Sequence, residues 1–314
     1  ACRPNFATTT GPAANAGQHR RPRLGRLACV SVRLRTGVIG VGRAGGALGA
    51  ALARAGHPVI AAHAVSENSV ERARTILPEA ELVGVEEVVD KADLVLLAVP
   101  DDALPALARE LPFHPGQFVV HCSGRYGVGV LEPAQARGAL PLALHPAMTL
   151  TGTSLDVERL AGAPFGVTAP EPLRMAAEAL VVEMGGEPIW IPEEARILYH
   201  AALAHSANHL ITLVSSGVEV LQEAGVENSS RLLAPLLQAS LDNALRMGYP
   251  ALTGPVVRGD ASTVAAHVQA LEFDPQVQAA YVALARLTAD RALAQGLLRP
   301  AAAEGLLNAL GGRP

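Results

Sequence analysis

Gly40-Val41-Gly42-Arg43-Ala44-Gly45 has the residue types and spacing of a diphosphate cradle, Gly-x-Gly-x-x-Gly. In such a loop Gly40 permits a tight turn, Gly42 lets the backbone approach a pyrophosphate, and Gly45 lets helix and strand pack closely. The free N–H groups and positive dipole end of a following helix complete the anion site. The spacing alone is weak in a chain with 30 glycines. Its flanks strengthen it: the apolar pair Val38-Ile39 before, and an alanine- and leucine-rich helix after, closed by Gly56. A bound dinucleotide is the chemistry this stretch predicts.

Further polar groups fall where an open α/β sheet places ligands, beyond the carboxyl ends of its strands. Val99, Pro100 and Asp101 are expected to line the adenosine and phosphate side. Ser123 and Gly124, and His145 before Pro146, are expected toward the nicotinamide. Pro100 and Gly124 also suit plain strand termination. Further along, His200 lies two turns before Asn208, so a helix carries both on one face, with Tyr199 about 100° away around it. Arg258-Gly259-Asp260 is a second polar set. A guanidinium grips a carboxylate in a two-pronged contact, so Arg258 could anchor an acid substrate. Asp260 could cap the helix from Ser262, hold Arg258, or tune His200. A structural Arg–Asp pair fixing a loop is the competing role. His205 and His209 have the spacing of a helical metal pair. Without a third ligand or an intervening glutamate, no metal is assigned.

The cofactor choice rests on residues 63–72. NAD sites place an acid at the end of the second strand, where it would repel a 2′-phosphate. Here the strand runs into His63-Ala64-Val65-Ser66-Glu67-Asn68-Ser69-Val70-Glu71-Arg72. Ser66 and Ser69 are small donors and Arg72 supplies positive charge, which favours NADP(H). Ser69 could instead only cap the next helix. Glu67, near the ~20-residue spacing of the rule, is the NAD counter-argument.

These groups need a scaffold. From Arg35, apolar runs alternate with helical segments. Strands are expected over 58–64, 81–83, 92–100, 117–121, 140–144, 165–168 and 188–191. Helices are expected over 69–77, 85–91, 103–111 and 172–184. The continuous apolar run through Leu94, Val95, Leu96 and Leu97 suits a parallel sheet covered on both faces. After Ile191 the pattern turns helical. Pro192-Glu193-Glu194 is a helix start with carboxylates against the dipole. A long helix to about Glu223 follows, then helices over 228–247, 262–271, 275–295 and 301–310, with a loop over 248–260. The expected class is α/β: a doubly wound parallel (Rossmann) sheet followed by an all-helical domain. The expected divisions are a disordered leader over 1–33, a dinucleotide-binding domain over 34–191, and a helical substrate and dimerisation domain over 192–314.

Bulk properties narrow the partners. Half the 314 residues are hydrophobic and the net charge is -4, so no basic face for nucleic acid or anionic lipid is expected. No apolar run approaches the roughly 20 residues of a membrane span. Cys2, Cys29 and Cys122 lack metal spacing and suit a reducing cytoplasm. Arg20-Arg21 lacks the apolar segment of an export signal. Lys91 is the only lysine, and the arginine bias suits a GC-rich bacterial genome.

The combination of glycine loop, Ala98-Val99-Pro100-Asp101-Asp102, His121-Cys122-Ser123-Gly124, Leu144-His145-Pro146-Ala147-Met148-Thr149, Tyr199-His200-Ala201-Ala202 with Ser206-Ala207-Asn208, and residues 252–260 resembles a bacterial family. These are the Rossmann-like NADP oxidoreductases whose helical half is a domain of unknown function. They sit in the 6-phosphogluconate dehydrogenase-like superfamily with ketopantoate reductase and pyrroline-5-carboxylate reductase. The resemblance spans about 36–310. It implies NADP(H)-dependent reduction of a small carbonyl compound, a 2-keto acid such as ketopantoate foremost, by a cytoplasmic homodimer. The alternatives are an imine reductase of the pyrroline-5-carboxylate type and a non-catalytic NADP(H)-binding regulator; deazaflavin is a further cofactor found among relatives. Relatives use a helix lysine four residues before an asparagine as donor. Asn208 matches that asparagine, but Ala204 stands in the lysine's place. Hydride transfer needs a donor at the substrate oxygen. His200 is therefore expected to serve it, oriented by Asn208 and Ser123, with His145 the rival acid; a structural hydrogen bond competes in both cases.

Overall fold

A computed structural model describes residues 33–311. The expected leader, all but Arg33, lies outside the described residues, as do Cys2 and Cys29. Two compact units divide between Glu193 and Glu194.

The first unit alternates strand and helix: β1 (Thr36–Ile39), α1 (Arg43–Ala55), β2 (Val59–His63), α2 (Glu67–Ile76), β3 (Glu81–Leu82), α3 (Val85–Lys91), β4 (Leu94–Leu97), α4 (Leu104–Glu110) and β5 (Phe118–His121). A 3₁₀ turn (Val128–Leu131) and α5 (Glu132–Gln135) lead to β6 (Leu140–Pro146). Then come α6 (Leu155–Arg159), β7 (Pro164–Thr168), α7 (Arg174–Glu183) and β8 (Glu187–Trp190). Among the described residues these strands form one sheet, ordered β3-β2-β1-β4-β5-β6-β7-β8. β1 is parallel to both β2 and β4, so the strand order reverses beside it. That reversal opens the crevice where doubly wound sheets take their ligands. The parallel expectation holds through β6; β7 runs antiparallel to β6, with His145 opposite Gly166, and β8 is parallel to β7.

Apolar side chains bury both sheet faces. Val38, Leu94, Leu96 and Val120 pack with α1 on one face; Ile39, Val95, Leu97 and Val119 pack under α3 and α4 on the other. This two-sided burial is why β4 reads as a continuous apolar run.

The second unit is helical. A 3₁₀ turn (Glu193–Ala195) leads into α8 (Arg196–Leu203), a π-helical turn (Ala204–Asn208) and α9 (His209–Glu223). α10 (Ser229–Met247), α11 (Pro255–Arg258), α12 (Ala261–Ala270), α13 (Pro275–Ala294) and α14 (Pro300–Ala309) follow. Val256, Val264, Ala289, Leu298 and Leu306 form its core. α9 buries no residue and α10 buries only Ser229.

Three local expectations are corrected. α2 begins at Glu67, and Ser66 rather than Ser69 is its N-cap, accepting the Ser69 N–H at 3.2 Å. The helix expected to run unbroken to Glu223 contains a π turn. The expected loop over 248–260 holds a 3₁₀ turn and α11, because Pro255 is preorganised for a first helical position and left-handed Gly259 (φ 76°) ends the turn. Among the described residues no helix is long and apolar enough to cross a membrane.

Candidate functional site

The glycines that join β1 to α1 differ in what requires them. Gly40 has φ 94°, a conformation L side chains rarely adopt, and its N–H donates to the His63 carbonyl at 3.0 Å. A Cβ there would also meet the Ala98 carbonyl oxygen. At Gly45 a Cβ would overlap the Gly40 carbonyl oxygen. Gly42 is different. Its φ is -75°, and no protein atom lies within 4 Å of where its Cβ would stand. Neither backbone conformation nor packing requires glycine at 42. The open space lies beside the N-cap of α1, whose first turn holds no acid. A cradle that a Cβ would fill, at a helix N-terminus, fits a pyrophosphate.

Two arginines converge nearby. Arg43 opens α1 and Arg72 lies on α2. The Arg72 guanidinium donates through Nη1 to the Val41 carbonyl and through Nε to the Gly152 carbonyl, both at 3.2 Å. So Arg72 ties the glycine loop to the segment between β6 and α6, a role the sequence did not suggest. A Cβ on Gly152 would lie 2.9 Å from Arg72 Nε and 3.0 Å from Arg43 Cγ. Among the described residues neither arginine is ion-paired with a carboxylate. Ser66 and Ser69 are occupied in capping α2: the Ser66 hydroxyl donates to Ser69 Oγ at 3.1 Å, and the Ser69 hydroxyl to the Ser66 carbonyl at 2.7 Å.

Asp156, fully buried, shapes that segment. Its carboxylate accepts the Thr151 N–H at 2.8 Å, the Gly152 N–H at 2.6 Å and the Thr151 hydroxyl at 2.9 Å. Burial pushes the Asp156 carboxyl up, but these donors together outweigh it and hold the carboxyl below its usual range.

The strand-end residues sit close to the crevice. Ala98, which precedes Val99, Pro100 and Asp101, donates its N–H to Ile39 at 2.9 Å and so brings that turn beside Gly40. Burial, then the neighbouring Asp101 charge, pushes the Cys122 thiol up to about 12. That leaves it protonated at neutral pH and a poor nucleophile. Buried His121 governs the next turn: its Nδ1 accepts the Ser123 N–H at 3.2 Å and its Nε2–H donates to the Gly127 carbonyl at 2.8 Å. Ser123 Oγ in turn accepts the N–H groups of Arg125 and Tyr126, each at 3.2 Å. The Ser123-Gly124 turn is thus held from both ends. Glu193, expected only to favour a helix dipole, instead accepts the N–H groups of Val128 and Gly129 at 2.8 and 2.9 Å. His121 lies within one of the sequence motifs but was expected to play no role there, and nothing in the sequence marked Asp156. His145, half-buried in β6, is opposite Gly166.

In the helical unit the π turn changes which residues share a face. Eight α-helical residues leave Asn208 about 80° from His200; absorbing one extra residue brings it within about 20°. The His209 N–H donates to Ala204 O, five residues back, which marks that wide turn. His205 and His209 face each other, Nδ1 to Nδ1, at 3.1 Å. Among the described residues no group of three metal-ligating side chains occurs. Asp260 is the N-cap of α12, accepting the Thr263 hydroxyl at 2.6 Å, the Thr263 N–H at 3.1 Å and the Ser262 hydroxyl at 3.0 Å. The Thr263 donors chiefly hold its carboxyl below the usual range, and Arg258 adds only the weakest contribution. No Arg258–Asp260 ion pair forms among the described residues, so Asp260 does not clamp Arg258. Lys91 is held by Glu81 at 2.5 Å and Glu87 at 2.7 Å on the β3–α3 edge.

Comparisons with known proteins divide along the chain. Residues 23–146 match the model of a Rossmann-like domain, and 163–288 match that of a domain of unknown function, DUF2520. No curated protein matches the sequence. Solved structures do. The Bacteroides fragilis protein BF3122, provisionally assigned as an NADP oxidoreductase, is 21% identical over 82% of this chain and 98% of that one, with a TM-score of 0.70. An imine reductase from Pseudomonas sp. is 18% identical over 88% and 99%, with a TM-score of 0.62. The 1-pyrroline-5-carboxylate reductase of Streptococcus pyogenes is 16% identical over 82% and 98%, with a TM-score of 0.57. At these identities the likeness is one of fold.

Proposed function

We propose that the chain is an NADP(H)-dependent oxidoreductase that reduces a small carbon–nitrogen or carbon–oxygen double bond. The observation that carries this is Gly42: a glycine that the protein itself does not need, at a helix N-terminus open to a ligand. Gly40, Val41, Gly42, Arg43, Ala44 and Gly45 would hold the pyrophosphate. Arg43 and Arg72, with no carboxylate ion-pair partner among the described residues, favour the phosphorylated dinucleotide over NAD(H). Val99, Pro100 and Asp101 would flank the adenosine side, and Ser123 and Gly124 the nicotinamide. The bound cofactor supplies hydride; the chain's own task is to place the substrate and proton.

His200 and Asn208, brought to one face by the π turn, are assigned the polar atom of the substrate. The absence of a lysine at 204 favours an imine, because an iminium carries its own positive charge and asks less of a donor than a developing alkoxide does. The similar folds that are named imine and pyrroline-5-carboxylate reductases support the same choice. Arg258, the group left to grip a carboxylate, is what supports a 2-keto acid such as ketopantoate.

The assembly proposed is a homodimer formed through α9 and α10. Ile211, Leu213, Leu232, Leu236, Leu241 and Leu245 are at least half exposed. Monomers rarely leave so large an apolar face in water.

The test is direct. Purified protein should bind NADPH more tightly than NADH, and oxidise NADPH with small cyclic imines faster than with 2-keto acids. Faster turnover of keto acids would move the substrate to the carbonyl class. Binding of NADPH with no turnover of either class would make the protein a dinucleotide sensor, and no binding would end the proposal.

A further inference from the structure

We infer that the segment between β6 and α6 is the outer wall of the site for the 2′-phosphate of the adenosine ribose, and that buried Asp156 is a positioning residue for it. This rests on the dinucleotide assignment to the glycine loop and adds to it a part of the chain that no motif marks.

The two cations are the starting point. Arg43 opens the helix that follows β1, and Arg72 lies on the helix that follows β2. In a doubly wound sheet the pyrophosphate sits at the first helix and the ribose 2′ substituent beside the end of the second strand. Both side chains reach Gly152, within 3.2 Å of where its Cβ would be. The Arg72 guanidinium and the Cγ of Arg43 thus flank one peptide, and among the described residues neither arginine is ion-paired, so an anion with several acceptor oxygens suits this place.

What holds them together is the loop. Gly152 has φ 83° and no room for a side chain. Its carbonyl accepts from Arg72 Nε, while its N–H donates to Asp156 at 2.6 Å. The same carboxylate takes both donors of Thr151. Asp156 therefore fixes the peptide on which Arg72 rests, although it is buried and touches neither arginine by hydrogen bond. Arg72 spends two of its five donors on Val41 and Gly152, which orients the guanidinium rather than using it up. In the same loop the hydroxyls of Thr151 and Thr153 lie 3.0 Å apart.

The measurement is a ratio. Wild-type protein should bind 2′,5′-ADP about tenfold or more tightly than 5′-AMP, the scale of one charge-assisted contact to phosphate. Asp156→Asn, Gly152→Ala and Arg72→Gln should each cut that preference by about tenfold. Affinity for 5′-AMP should stay within about twofold, since that ligand lacks the 2′-phosphate. NADPH against NADH should follow the same ratio. A merely structural loop would weaken both ligands alike; equal losses, or an unchanged preference in all three variants, overturn the inference. If Asp156→Asn does not fold, Arg72→Gln decides the matter on the same ratio. Wild-type protein that binds neither nucleotide refutes the dinucleotide assignment itself, which is a separate outcome.

Discussion

Glu193 accepts the Gly129 N–H at 2.9 Å, so the last residue of the first unit is bonded to the turn that follows Ser123-Gly124. The second oxygen takes Val128 in the same way. Both are charge-assisted bonds to otherwise unpaired N–H groups at the start of a short helix. Glu193→Gln should retain part of this grip and Glu193→Ala should lose it, at a cost of about 1 kcal/mol given the exposed setting. Amide hydrogen exchange read at Val128 and Gly129 should accelerate in Glu193→Ala; unchanged protection there would mean the carboxylate is dispensable.

Gly42→Ala and Gly45→Ala should part company. The first adds a methyl group to open space and should unfold at the wild-type denaturant concentration, while dinucleotide affinity drops about tenfold or more from lost backbone approach. The second forces a methyl group onto the Gly40 carbonyl and should cost about 1–3 kcal/mol of stability. Equal affinity of Gly42→Ala for NADPH would show that no ligand approaches that face.

The π turn predicts a register effect in catalysis. His200→Ala and Asn208→Ala should each lower kcat by about a hundredfold with little change in NADPH affinity. Deleting Ala204 removes the extra residue and leaves seven α-helical steps from His200 to Asn208, so the two stay within about 20° of each other. Turnover should therefore survive far better than in Asn208→Ala, with helix content kept. Turnover in the deletion variant as low as in Asn208→Ala would remove the shared face from the mechanism.

Acid should loosen the wall segment first. The folded Asp156 carboxyl titrates below its usual value, so its contribution is complete above about pH 4 and is lost as pH falls through the lower folded value. Wild-type stability should decline on acidification more steeply than that of Asp156→Asn, which has no proton to take up. Parallel stability curves between about pH 5 and pH 2 would contradict this.

The helical unit should associate. Leu232→Asp with Leu236→Asp places charge on a stripe of α10 that has no cover of its own. Sedimentation should show a dimer for wild type and a monomer for the double variant. A wild-type monomer at micromolar concentration would refute the dimer.

Sequence alone determined the elements whose signals are local. Two-sided burial wrote the apolar run of β4, and the glycine spacing wrote the β1–α1 turn, because each depends on neighbours in the chain. Pro192 and the change from strand to helical periodicity placed a boundary at 191/192, two residues before the division between Glu193 and Glu194. The roles of Asp156, Glu193 and His121 were invisible for the converse reason. Glu193 meets its partners 65 and 64 residues away, and Arg72 meets Gly152 80 residues away. Ordinary residue types acquire such roles only when strands order themselves in space. The π turn was hidden too, since its residues read as ordinary helix and only its hydrogen-bond pattern reveals the extra residue. The glycine motif raised the expectation of a ligand from sequence; only the tertiary structure separated Gly42, which neither backbone conformation nor packing requires, from Gly40 and Gly45, which the fold requires.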